Sequence, residues 1–436
     1  MKKLLSLLLC AAMVLSLVAC GGNETPATEA AKEPAATEAA VNEPATAGKT
    51  KVRLAYWNSE DTVADLLAYL AEAVPDVEIE YQFIDNSNYA TIIDTQLSAG
   101  EGPDIICESP ASALKHAKLG YLADVSDLGA LYSNAGTSVY SYDGKVYALP
   151  GISWFEGIYY NKAIFDAAGV AYPDTSWTME EFYENSKKLT GEFEINGEKK
   201  TVYGFATSAK YASQYLPFIW NFGGEILTQD NSAAAINSAE WKAGVEYYLK
   251  FFEDGITPPG SEAMDLAEQQ AMFMDDQVAM MTATVDYVTE ILKNEGWDAK
   301  LGVGYMPNQN GLATSFVGAD VFVIPTASQY PAQAGMLIDY LLGTESQIAY
   351  AKAVGFTPAV KSAMEDEAIA TDPVQVAFAA ALEGGKFYAK VSVSSMITVI
   401  LRENIQSLLA NEITLDQYAE DAETRINQAL AEAAAE

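Results

Sequence analysis

Histidine is almost missing from this chain, with His116 the single one in 436 residues. A histidine metal pair is thereby excluded, and no Gly-x-Ser-x-Gly elbow offers the lone imidazole a serine partner. Set in Lys115-His116-Ala117-Lys118, it is predicted to be a surface residue on an exposed helix. Arginine occurs only at Arg53, Arg402 and Arg425, so a bidentate clamp for carboxylate or phosphate has few sources. That disfavours amino acids, carboxylates and sugar phosphates as ligands. Basic residues are outnumbered, 25 Lys and Arg against 60 Asp and Glu, for a net charge of −35. Such a charge repels polyanions, excluding nucleic acid as a partner and an electrostatic grip on anionic lipid. The apolar run from Leu4 to Val18 follows Lys2 and Lys3, the order of a secretory signal, and is too short for a comfortable membrane span. Cysteine is confined to Cys10, Cys20 and Cys107.

The run ends in Leu17-Val18-Ala19-Cys20 followed by Gly21 and Gly22, which resembles the lipobox of bacterial lipoproteins. The resemblance implies a signal peptide over 1–19, cleavage before Cys20 and a diacylglyceryl thioether on its sulfur. Each buried methylene contributes roughly 0.8 kcal/mol, so two or three acyl chains hold a protein at the bilayer without a spanning helix. Cys10 would leave with the signal, so the folded part keeps only Cys107 and has no structural disulfide. Residues 20–49 are rich in Ala, Thr, Glu and Pro and bury too little to offset chain entropy. They are predicted to form a disordered tether spanning about 30 Å.

Past the tether the pattern changes. Lys51 to Trp57 is β-rich and breaks at Asn58-Ser59-Glu60-Asp61, after which Val63, Leu66, Leu67 and Leu70 fall on one helical face. Val77 to Ile84 alternates as a strand, Tyr89 to Leu97 reads as helix, and Asp104-Ile105-Ile106-Cys107 as a short buried strand. Strands alternating with helices predict βαβ units and a parallel sheet, hence an α/β fold. Capping boxes pairing Thr178 with Glu181, Thr344 with Gln347, and Thr414 with Gln417 predict three helix starts. Trp177 is expected to wedge the first of these, and Met272, Met274, Met280 and Met281 to fill core. A length of 436 residues at 50% hydrophobic composition suffices for two lobes.

Eight local patterns follow one another in a telling order. They are Gly102-Pro103-Asp104-Ile105-Ile106, Asp143 through Pro150, Tyr159-Tyr160-Asn161-Lys162, Ser176 through Phe182, Trp220 through Gly224, Phe273 through Met281, Tyr340 through Pro358, and a closing helix from Leu409 to Leu430. Across residues 51 to 436 this order resembles the extracellular solute-binding proteins (family 1) of carbohydrate ABC transporters, the maltose-binding-protein type. The resemblance implies a two-lobed α/β fold of the periplasmic-binding-protein type (type II), with a ligand cleft between lobes joined by several crossing segments. Lobe one is placed at 50–153 and 308–356, and lobe two at 154–307 and 357–436.

Ligands of open α/β sheets bind at the carboxyl ends of strands. Candidate ligand-binding residues are therefore Trp57, Asn58, Glu60 and Asp61 after the first strand, and Glu108 and Ser109 after the Ile105-Ile106 strand. Trp154, Phe155 and Glu156 stand at the first crossing and match family binding loops. The second lobe adds Tyr211, Trp220, Asn221, Asp286 and Tyr287. Asp320 lies near the second crossing, where the family usually has a small residue. Asp286 falls near where many relatives carry a tryptophan, leaving any stacking there to Tyr287.

A pyranose offers an apolar C–H face and a rim of hydroxyls, so a good site combines flat aromatic surface with short polar groups. Six Trp and 25 Tyr suit such a site, and a neutral mono- or oligosaccharide leads as ligand. Alternatives are a polyamine, since carboxylates around aromatics suit an organic cation, or glycerol phosphate. A secreted carbohydrate-active enzyme using Glu108, Glu156 or Asp286 is a reading of another class, as is a lipid-anchored adhesin. The leading expectation is a non-enzymatic monomer with no cofactor or metal. It would sit by its Cys20 lipid on the extracytoplasmic face of the cell membrane and dock on a two-subunit permease driven by a cytoplasmic ATPase.

Overall fold

The computed structural model describes residues 49–129, 140–174, 176–309, 311, 313–354, 357–372, 375–376, 384–388 and 391–435. The signal, Cys20 and nearly all of the tether lie outside the described residues. Thirteen strands can be named among those described: β1 (Thr50–Tyr56), β2 (Val77–Phe83), β3 (Ile105–Glu108), β4 (Tyr140–Tyr142), β5 (Lys145–Phe155), β6 (Gly157–Asn161), β7 (Gly191–Ile195), β8 (Glu198–Val202), β9 (Met280–Ala283), β10 (Leu301–Gly304), β11 (Phe316–Val323), β12 (Thr357–Pro358) and β13 (Lys386–Phe387).

The large sheet runs β12-β5-β11-β3-β1-β2, with β13 added on β11 and β4 on β5. Only part of it meets the parallel expectation. β1 is parallel to β2 and β3, as βαβ alternation predicts, but β11 is antiparallel to both β3 and β5. These antiparallel strands are the ones by which the chain leaves for, or returns from, a second sheet, so no helical crossover sets their direction. In β1 the period of two is plain. Val52, Leu54 and Tyr56 face a core with Leu66 and Leu70, while Ala55 faces another with Ile93 and Leu97. Burial on both faces is what parallel strands require, and each such side chain contributes about 1.5–3 kcal/mol.

The second sheet is antiparallel throughout, in the order β10-β6-β9. Its main core is aromatic, with Phe182, Phe205, Phe218, Phe251 and Trp241 all fully buried. Trp177 is buried and donates its indole N–H to the Tyr305 carbonyl at 2.8 Å, and Met280 and Met281 are fully buried core residues. The boxes at Thr178 and Thr414 both form.

The box expected at Thr344 does not form. Gln347 is fully buried, and three backbone groups occupy its amide: it donates to the Gly151 and Leu341 carbonyls at 2.7 and 2.9 Å and accepts from the Ala359 N–H at 2.8 Å. Thr344 instead bonds to the Ser362 hydroxyl. Buried peptide groups must be satisfied, and here they outcompete the helix end.

Glu156 alone separates β5 in the large sheet from β6 in the small one. Its N–H donates to the Phe316 carbonyl at 3.0 Å and its own carbonyl accepts from the Ser315 hydroxyl at 2.5 Å. The first crossing is thus bonded to the second. Thr357–Pro358, expected to open lobe two, pairs with Ile152 and Ser153 of β5 in the large sheet. Among the described residues no helix is long and apolar enough to cross a membrane.

Candidate functional site: a cavity at the crossing strands

A cavity of about 1110 Å³ lies where the crossing strands meet the ends of both sheets. The large sheet supplies Trp57, Asn58, Glu108, Ser109 and Asp320, and the crossings supply Trp154, Glu156 and Phe316. Across from them come Ser213, Thr284 and Tyr287, with Ser394, Ser395 and Thr398 from the first turns of the helix Ser394–Leu409.

Local chemistry fixes these positions. Ser109 caps the helix Pro110–Lys118, its hydroxyl accepting from the Ser112 N–H at 3.2 Å, with Pro110 at the first helical position where its missing N–H costs nothing. Asp143 and Gly144 both have positive φ, 48° and 73°, the two-residue turn that suits a hairpin's twist. That turn joins β4 to β5 and brings Tyr142 to the cavity edge. Trp57 meets Tyr56 and Tyr89 edge-on at 4.9 and 5.0 Å. The Trp154 ring stacks on Phe316 at 5.5 Å and 12° and rests directly over Gly318, where a Cβ would come within 2.0 Å of the indole.

The polar groups are tightly held. His116 is only 2% exposed, its Nδ1 lying 2.7 Å from Glu108 Oε1 and its Nε2 2.7 Å from Asp94 Oδ1. Lys115 bonds both oxygens of the same Asp94 at 2.7 Å. Burial acts against a charged imidazole, but the two carboxylates outweigh it and raise the His116 pKa. Burial raises the Glu108 carboxyl against the opposing pull of His116. Burial also opposes the Asp94 charge, and Lys115 and His116 overcome it to lower that carboxyl. The expectation of a surface histidine is therefore corrected. A helical stretch with lysines on either side does not reveal that one of its positions faces inward onto two acids. Beside them Tyr350, on the helix Thr344–Val354, donates to Tyr56 of β1, which donates to Asp320 Oδ2 at 3.0 Å. Burial pushes the Tyr56 hydroxyl well up, so it remains a donor. No group of three or more His, Cys, Asp or Glu placed to hold a metal ion is found among the described residues.

Of the residues singled out from sequence, Trp57, Asn58, Glu108, Ser109, Trp154, Glu156, Tyr287 and Asp320 line this cavity. Others do not. Glu60 and Asp61 are exposed outside it, and Tyr211 caps its helix and donates to Asp265 at 3.0 Å, while Ser213 two residues on faces the cavity. Phe155 is fully buried core. Trp220 is 4% exposed and stacked behind Phe316 at 5.7 Å. Asn221 bonds the backbone of Thr314 through both ends of its amide, tying its helix to the second crossing. The Asp286 side chain lies outside the described residues. Sequence reasoning missed Phe316, Tyr142, Tyr147, Tyr388 and the hydroxyls of Ser394, Ser395 and Thr398. The last three had a signal: as i, i+1 and i+4 of one helix they flank the stripe of buried Ile397, Ile400 and Leu401.

A family model of bacterial extracellular solute-binding proteins matches residues 65–377. The chain belongs to this family. This solute-binding protein is 23% identical over 384 residues to the galactooligosaccharide-binding protein of Bacillus subtilis, covering 84% of this chain and 83% of that one. It is 24% identical over 370 residues to the diacetylchitobiose-binding protein DasA of Streptomyces coelicolor, covering 82% of each. The structure of the GacH receptor of Streptomyces glaucescens, solved unliganded and with acarbose, superposes with a TM-score of 0.79 at 18% identity. That match covers 88% of this chain and 99% of the other. The two-sheet architecture is thus the two-lobed fold of type II periplasmic binding proteins, and the family places this solute-binding protein outside the cytoplasm.

Proposed function

We propose that this solute-binding protein captures a carbohydrate in the cavity between its lobes and delivers it to a membrane permease driven by a cytoplasmic ATPase. One observation carries the reading. A single cavity draws Trp57, Trp154 and Tyr142 together with short polar groups from both sheets. Flat rings cover the C–H face of a pyranose, and hydroxyls, amides and carboxylates meet its rim. At about 1110 Å³ the cavity exceeds the roughly 300–1,000 Å³ of common ligand pockets and leaves space for more than one sugar ring. The sugar-binding relatives support the same class of ligand. Ligand contacts fall to the eight lining residues named from sequence, with Phe316, Ser394 and Thr398 added.

The lobes are assigned as 50–153 with 308–356 and 154–307 with 357–436, except that 357–370 is counted with the first lobe. The pairing of β12 with β5 and the packing of Val360 against the large sheet's core support that change. Closure about the crossings is stabilised by ligand that touches both lobes. The protein is a monomer without catalytic activity, held at the membrane by lipid on Cys20.

Thermal-shift measurements across mono-, di- and oligosaccharides, polyamines and glycerol phosphate test the ligand class, because a ligand that prefers the native state raises the melting temperature. A sugar that raises it and compacts the protein in small-angle scattering is the expected result. Stabilisation by non-sugars alone, or turnover of an oligosaccharide, would overturn the reading.

A further inference from the structure

The acid on the second crossing is held from behind by a single helix. Asp320 lines the cavity at 5% exposure. A small residue would close that wall at no electrostatic cost, whereas a carboxylate so far out of water is tolerated only when it is hydrogen-bonded. Tyr56 supplies one such bond to Oδ2 at 3.0 Å, and Tyr350 donates in turn to the Tyr56 hydroxyl. Neither tyrosine lines the cavity; both are buried in the core of the large sheet. Burial pushes both hydroxyls well above the usual phenol range, so each keeps its proton to donate.

The backbone at Asp320 is set from the same helix. Against β5 the register steps from Ile152 opposite Asp320 to Pro150 opposite Val321, which leaves Gly151 as the extra residue of a bulge. Bulges bend a strand and re-aim side chains beside binding sites. The Gly151 carbonyl accepts from the Gln347 amide at 2.7 Å, and a Cβ on Gly151 would come within 3.0 Å of the Asp320 carbonyl oxygen. Gln347 and Tyr350 stand three apart on the helix Thr344–Val354, hence on one face of it. That face thus reaches both the Asp320 side chain, through Tyr56, and the bulge opposite it.

A carboxylate accepts in several directions, and a bond to Oδ2 from the core side fixes the rotamer in which the group meets the cavity. A side chain fixed before the ligand arrives loses no further freedom on binding. We infer that Tyr56 and Tyr350 are positioning residues for ligand capture, a relay that holds Asp320 as a preset acceptor for a hydroxyl of the bound carbohydrate. The inference rests on carbohydrate capture with Asp320 in contact, as proposed above, and adds residues that never touch the ligand.

The test is a double-mutant cycle read by calorimetric titration of the full-length protein. Maltotriose, cellobiose, lactose and N,N′-diacetylchitobiose are titrated into the parent, and the tightest binder is carried through the variants. Tyr56→Phe removes the donor and keeps the ring. It should weaken binding about tenfold, and Tyr350→Phe, one bond further back, about threefold. Asp320→Ala removes the group to be held, and in that background both tyrosine substitutions should change affinity by less than about twofold. Where Tyr56→Phe does not fold, the cycle of Tyr350→Phe with Asp320→Ala carries the same test.

Equal losses in both backgrounds would assign the hydroxyls to the fold alone. Unchanged affinity in Tyr56→Phe and Tyr350→Phe, or in Asp320→Ala, would show that no preset acceptor is used. Each of these results overturns the inference and leaves carbohydrate capture standing. Absence of binding by all four sugars to the parent counts against both capture and relay.

Discussion

His116 Nδ1 stands 2.7 Å from Glu108 Oε1, and each residue is only 2% exposed. Neither group is left alone in the low-dielectric wall of the cavity, and each accounts for the other's burial. Removing one member strands the other, which costs more than the pair itself contributes. His116→Ala is expected to destabilise the fold by about 3 kcal/mol, at the low end of the range for such losses because Glu108 can recover by taking up a proton. Urea unfolding of the two proteins measures the difference.

The same cluster gives a pH dependence of known sign. Because the folded-state pKa of His116 is raised, its contribution to stability is complete below the unfolded value of about 6.5 and is lost as pH rises through the folded value. The raised Glu108 carboxyl acts in the same direction, favouring the folded state as pH falls towards the unfolded carboxyl value. Asp94 is lowered, so its contribution is present above about pH 4 and is lost on further acidification. The melting temperature should fall as pH rises above about 6.5 in the parent and less steeply in His116→Gln. Parallel thermal melts across that window decide the matter.

Trp154 and Trp220 both stack on Phe316, yet only Trp154 lines the cavity. Sequence reasoning gave both rings to the ligand. In the structure Trp154→Ala should weaken ligand binding about tenfold or more with a melting temperature near the parent's. Trp220→Ala should cost about 3–5 kcal/mol of stability, because it empties a buried aromatic site. Titration and denaturation of both variants separate the two roles.

Gly318 offers a way to move Trp154 without touching it. A Cβ there meets the indole at 2.0 Å, so Gly318→Ala must displace the ring from its seat. Ligand affinity should fall by about as much as in Trp154→Ala, roughly tenfold. Gly302→Ala is the control. Its Cβ meets Tyr160 at the same 2.0 Å in the small sheet, away from the cavity, and should lower stability without a selective loss of affinity.

Much of this was legible in the sequence where the cause is local. The strands Thr50–Tyr56 and Val77–Phe83 follow from their alternation, and the caps at Thr178 and Thr414 from residue type at a fixed spacing. Strand ends led directly to Trp57, Asn58, Glu108 and Ser109. What escaped depends on partners far apart in the chain. Gln347 abandons its box for Gly151 and Ala359, Asn221 serves Thr314, and Asp94 reaches His116 from another helix. None of these pairings leaves a trace in spacing, because each is set by how separate elements pack against one another rather than by the period of one element.

The one-residue link at Glu156 has a mechanical consequence. The side chain of this residue faces the cavity while its peptide group is clamped on both sides by Ser315 and Phe316. Two chain passages are thereby stitched into a single leaf, so bending concentrates at its edge instead of being spread over independent cords. In the proposed capture, cargo that touches Glu156 would press on the fulcrum itself, so that occupancy and posture of the receptor would change together.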